Sequence, residues 1–87
     1  MLNVHILSPE KKLFQGKAQM IGLPGEDGRF QILPQHAPIV ASLGDGDIIV
    51  KDDNGNEKTF HIHSGFIEVL NNTVNILVQG AKLVEAE

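Results

Sequence analysis

The sequence predicts an all-β domain, an antiparallel two-sheet β-sandwich of about ten short strands. Two observations carry this. Apolar and polar residues alternate with period two through most of the chain, as in Leu2, Val4, Ile6 and again in Val74, Ile76, Val78. Turn signals built from Pro, Gly, Asn and Asp recur about every 8–12 residues. Alternation of this kind leaves one face of each strand for a core and one for solvent, which favours antiparallel pairing.

The elements follow in order. Leu2 to Ile6 reads as a first strand, ended by Ser8-Pro9-Glu10. Lys12 to Phe14 is a short extended piece before Gln15-Gly16, and Lys17 to Leu23 is a second, longer strand. Pro24-Gly25-Glu26-Asp27-Gly28 is a turn. Arg29 to Leu33 is a short strand, followed by a rigid corner, Pro34-Gln35-His36-Ala37-Pro38. Three of the four prolines fall between Leu23 and Pro38, so backbone restriction shapes this segment. Ile39 to Leu43 is extended, Gly44-Asp45-Gly46 turns, and Asp47 to Lys51 is a strand. The cluster Asp52-Asp53-Asn54-Gly55-Asn56 marks a hairpin. After it Glu57, Thr59, His61 and His63 alternate with Lys58, Phe60, Ile62 and Ser64. Phe66 to Leu70, an Asn71-Asn72 turn and Thr73 to Gln79 complete the strands. Only Ala81 to Glu87 has helical character.

Eighty-seven residues allow one domain with one modest core. A net charge of −4 without a basic patch argues against nucleic acid as a partner. The chain has no cysteine, so no disulfide and no thiolate chemistry enters. The N-terminus lacks signal-peptide regions, and no apolar run approaches the ~20 residues that span a bilayer. The expectation is a cytoplasmic chain without direct membrane insertion.

Few residues suggest catalysis. Glu26-Asp27, Asp45-Gly46-Asp47 and Asp52-Asp53-Asn54-Gly55 read as turn chemistry, since the spacing of a calcium loop is not met. No Gly-Lys-Ser or Gly-Lys-Thr phosphate loop is present. His36, between two prolines, reads as a packing or interface residue. His61-Ile62-His63 puts two imidazoles on one face of a strand, where they could grip a metal. With Gly55 before and Glu68 after, the spacing resembles the first metal motif of the cupins. Asn75 stands where that motif ends in Gly, and no His follows His63 to supply the fourth ligand. The alternative reading is therefore a small cupin-like metal protein using His61, His63 and Glu68. The favoured one is that His61 and His63 belong to the wet face of a hairpin strand.

Several segments together resemble the epsilon-subunit family of F-type ATP synthases, in its N-terminal β-sandwich domain. They are Val4-His5-Ile6-Leu7-Ser8-Pro9-Glu10, Leu13-Phe14-Gln15-Gly16, Leu23-Pro24-Gly25-Glu26-Asp27-Gly28 and Ile32-Leu33-Pro34-Gln35-His36-Ala37-Pro38. Ser64-Gly65-Phe66-Ile67-Glu68-Val69 and Thr73-Val74-Asn75-Ile76-Leu77-Val78 complete the set. The resemblance covers essentially the whole chain.

It implies a non-catalytic rotor subunit of the central stalk, peripheral to the membrane on the cytoplasmic face of the inner, or a thylakoid-type, membrane. The expected partners are the gamma subunit and the polar loops of the c-ring, and no cofactor is implied. By this resemblance the c-ring-facing residues are Glu26, Asp27, Gly28, Arg29 and Phe30, with Arg29 near the loop tip. The gamma-facing residues are Ser8, His36, Ala37 and Ala41. Many members carry an acidic residue where this chain has Arg29, and a Gly where it has Gln35. Longer members continue into a C-terminal helical hairpin. The expectation here is a single domain over residues 1–87 without it.

Overall fold

A computed structural model describes residues 1–84, and all of its regular elements are strands. They are β1 (Leu2–Leu7), β2 (Lys12–Gly25), β3 (Gly28–Ile32), β4 (Ile39–Leu43), β5 (Gly46–Asp52), β6 (Glu57–Ile62), β7 (Ser64–Leu70), β8 (Thr73–Gln79) and β9 (Lys82–Val84). The predicted sandwich is present, with nine strands among the described residues.

β2 organises the two layers. Lys12 to Ala18 pairs with β1, and Ala18 to Gly25 pairs with β5 and β3. The two extended pieces expected from the sequence are therefore one 14-residue strand. A register shift between Ala18 and Met20 marks where it leaves one layer for the other. An extra residue of this kind bends a strand and increases its twist. One layer holds β1, β8, β7 and β4, and the other holds β3, β5, β6 and β9. The hydrogen-bonded order β1-β8-β7-β4-β2-β5-β6-β9 is continuous because β2 serves both.

The core lies between the layers, on the faces that the alternation predicts. Leu2, Val4, Ile6, Ile67, Val69, Val74, Ile76 and Val78 come from one layer. Ile21, Leu23, Ile32, Ile48, Val50, Phe60 and Ile62 come from the other. Glu57 is exposed, and His61 is exposed between buried Phe60 and Ile62, as the wet-face reading expects.

Two expectations are corrected. β1 and β8 pair in parallel, Val4 opposite Val74 and Ile6 opposite Ile76, although the remaining pairings are antiparallel. Alternation identifies a half-buried strand but carries no direction. The helical character expected of Ala81 to Glu87 gives way to β9, which pairs with β6 through Thr59–Val84 and His61–Lys82. Gly80, at φ 69°, lies where the chain passes from β8 to β9, opposite the β6–β7 crossing. The free edge of β6 then offers backbone partners that a single isolated helical turn lacks. Residues 85–87 lie outside the described residues.

Candidate docking surfaces

The segment from Leu23 to Pro38 forms a tight hairpin and then a corner. Gly25 pairs with Gly28, which leaves Glu26 and Asp27 as the turn. Both turn residues are exposed. Gly25 is required by close approach: a Cβ there would lie 2.6 Å from the Gly28 carbonyl and 2.8 Å from the Phe30 ring. Phe30 is half-buried against the core and anchors the hairpin. The turn is braced from behind, since Glu26 N donates to Ser42 O at 3.2 Å and Gly44 N to Pro24 O at 2.8 Å.

Arg29 is not at the tip. It stands opposite Pro24 on β3, and its Nη1 donates to the Asp47 carbonyl at 2.9 Å. Its guanidinium covers Gly22, where an added Cβ would meet it at 3.3 Å. The Arg29 side chain thus lies over Gly22, which is buried. Arg29, expected near the loop tip, lies two residues past the turn with its guanidinium on the Asp47 carbonyl.

The other corner is held in sparsely populated backbone. Gln35, Asn71 and Asn72 have φ of 67°, 51° and 63°, a region costly for residues other than Gly and Asn. Asn72 Oδ1 accepts from Gln35 N at 2.6 Å, and Asn72 O accepts from Asn3 N at 2.8 Å. One residue thereby ties the β7–β8 turn to the start of β1 and to the proline corner. His36 N donates to Leu33 O at 3.2 Å, and the His36 Nδ1 lies 2.7 Å from Ala37 O. Nothing in the sequence reading pointed to Asn72. Its signal was the Asn-Asn pair, legible as a turn but not as a tie to a corner 37 positions away.

The predicted gamma-facing residues do not gather in one place. Ser8 closes the turn after β1, its Oγ accepting from Lys11 N at 3.2 Å. It lines a groove of about 490 Å³ with Glu26, Ser42, Phe66 and Leu77. Ala41 lines a second groove, about 370 Å³, with Glu26, Asp27, Gly28 and Phe30. His36 and Ala37 lie beside Asn71 and Asn72, at the other end of β4, β7 and β8. Ser8 and Ala41 therefore neighbour the hairpin, and His36 and Ala37 stand away from it.

The cupin-like constellation is not assembled. Glu68 is on β7, opposite Val40 and Asn75, in the layer that does not contain His61. Among the described residues no group of three or more His, Asp or Glu side chains is placed to hold a metal ion. The Asp52 cluster does turn chemistry: Asp52 Oδ1 accepts from Asn54 N and Asn56 N, each at 2.9 Å. No helix of the described residues is long and apolar enough to cross a membrane.

The class defined by these features is a small β-sandwich whose distinctive surfaces are a braced hairpin tip and a locked proline corner. Residues 1–84 match the family described as the ATP synthase delta/epsilon chain β-sandwich domain, and the chain belongs to that family. Among its relatives, the ATP synthase epsilon chain of Leptospira borgpetersenii is 44% identical over 84 residues, which is 97% of this chain and 65% of the relative. The ATP synthase epsilon chain of Micrococcus luteus is 36% identical over 85 residues, which is 98% of this chain and 93% of the relative. The chain thus spans about two thirds of the first relative's length and nearly all of the second's. A chain in the mitochondrial ATP synthase of Euglena gracilis shares the fold, with a TM-score of 0.88 at 21% identity over 94% of this chain and 52% of that one. A chain in the central stalk and c-ring assembly of the Tetrahymena thermophila mitochondrial ATP synthase shares it too, with a TM-score of 0.75 at 20% identity over 93% of this chain and 65% of that one.

Proposed function

We propose that this chain is a non-catalytic rotor subunit of an F-type ATP synthase, linking the gamma subunit to the c-ring as rotation is coupled to ATP synthesis. The observation that carries the reading is the family match over residues 1–84. The surfaces fit it in physical terms. A part that transmits torque must keep its contact points fixed relative to one another. Here a backbone hydrogen bond ties Glu26 of the tip to Ser42 of β4, a second ties Gly44 to Pro24 at the hairpin's base, and the His36 corner is tied to two other elements through Asn72.

The exposed acidic tip, Glu26 and Asp27, offers charge to the polar loops of a ring, with Gly28 and Phe30 setting the hairpin's shape. His36 and Ala37 present the rigid corner to the shaft, and Ser8 and Ala41 extend the gamma-facing surface toward the hairpin. Arg29 acts from behind as a brace on Asp47. The single domain of residues 1–87 suffices for both contacts in this reading, on the cytoplasmic face of the coupling membrane.

Co-purification with gamma and the c-ring tests it. The double variant Glu26→Ala/Asp27→Ala should lose c-ring retention while keeping gamma. His36→Ala should weaken gamma retention. Equal recovery of both partners with wild type and with each variant would refute the assignment.

A further inference from the structure

A cluster at the layer crossings is not used by the function above. Gly44-Asp45 joins β4 to β5, and His63 joins β6 to β7, both passing between the layers. His61 stands directly opposite Asp47 in the β5–β6 register. Its Nδ1 lies 2.8 Å from Asp47 Oδ1, and its Nε2 lies 3.5 Å from Asp45 Oδ1. His63 Nδ1 lies 3.8 Å from the same Asp45 oxygen. A neutral imidazole has one N–H and donates at one nitrogen only, whereas the imidazolium donates at both. Carboxylates at both nitrogens of His61 therefore suit the charged ring.

The cluster connects to the hairpin by named contacts. Arg29 of β3 donates to the carbonyl of Asp47, and Gly44 N donates to the carbonyl of Pro24. Gly46 passes so close under Pro24 that a Cβ on it would lie 2.7 Å from the Pro24 Cβ. The titratable groups around His61 are Asp47 on β5, Asp45 in the crossing, His63 after β6, and Lys82, its register partner on β9.

We propose that His61 is a proton-controlled clasp. As the imidazolium it holds Asp45 and Asp47 on one ring and fixes the β4–β5 crossing behind the Glu26–Asp27 hairpin. On losing its proton it keeps one carboxylate and releases the other, and the crossing loosens. The clasp stands on its own geometry. Only its consequence for docking rests on the proposed function, and the test reads the clasp in the chain alone.

The hydrogen bond that His61 donates to Asp47 is the main influence raising the His61 pKa above its ordinary 6.5; loss of hydration opposes it, and the charges of Asp45 and Asp47 add to the rise. A raised folded value means that the tie is fully present below the unfolded value and is lost as pH rises through the folded one. The ring is about half exposed, so salt weakens the tie.

A histidine NMR titration of the full chain, with amide exchange at Gly44, Asp45 and Gly46 corrected for intrinsic rate, tests the clasp. The wild-type His61 midpoint should lie above 6.5 and should fall in Asp45→Asn and in Asp47→Asn. Protection of the crossing should drop as pH rises through that midpoint, and His61→Gln should abolish this pH dependence. A His61 midpoint at or below the ordinary value, or the same pH profile in His61→Gln, would overturn the proposal.

Discussion

Replacing Asn72 by Ala tests the locked corner. Two contributions are lost. The Oδ1 acceptor for Gln35 N, at 2.6 Å, is removed, which costs about 0.5–1.5 kcal/mol net. Residue 72 must also keep φ near 63°, which costs an Ala about 1–2 kcal/mol and an Asn less. The sum is roughly 1.5–3.5 kcal/mol. For a domain of this size a loss of about 2 kcal/mol lowers Tm by roughly 8–16 °C. Asn72→Asp keeps an acceptor and tolerates the left-handed region, so it should stay within about 0.5 kcal/mol of wild type. The bond to Asn3 N uses the backbone carbonyl and survives in both variants. Urea unfolding followed by circular dichroism reads the difference, with the m-value unchanged if only stability has moved. Equal costs for the Ala and Asp variants, or an Ala cost below about 0.5 kcal/mol, would refute the tie.

Other outcomes follow from the same contacts. Gly46→Ala should cost about 1–3 kcal/mol by thermal melting, because its Cβ would meet Pro24 at 2.7 Å. Arg29→Ala should lower stability by about 1 kcal/mol or less in urea, since it removes one exposed hydrogen bond and the cover over Gly22. Ile67→Ala, at a fully buried position between β4 and β8, should cost about 2–5 kcal/mol in the same assay. The pH dependence of the β4–β5 crossing should follow His61 as set out above.

Alternation made most of the fold legible. The buried sets Leu2-Val4-Ile6, Phe60-Ile62 and Val74-Ile76-Val78 are the residues that period two assigns to the core. The direction of β1 against β8 was not legible, because alternation is the same read either way. The helical character of the tail was a local preference, and the free edge of β6 overrode it. The hairpin and the corner were marked by their Pro and Gly, but the direction of Arg29 depended on a carbonyl 18 residues away. The distance between Ser8 and His36 likewise needed the strand order, since both flank strands of one layer but at opposite ends. The His61 contact was closer to hand. The pairing of Lys51 with Glu57 around the Asn54-Gly55 turn already sets Asp47 opposite His61.

The chain has no cysteine, so single-cysteine variants report contacts without background. Within an assembled synthase, Asp27→Cys should crosslink to a c-subunit, and Ala37→Cys should crosslink to gamma. Crosslinking of Ala37→Cys to the ring, or failure of both variants to reach either partner in an intact complex, would contradict the assignment of this sandwich as the link between ring and shaft.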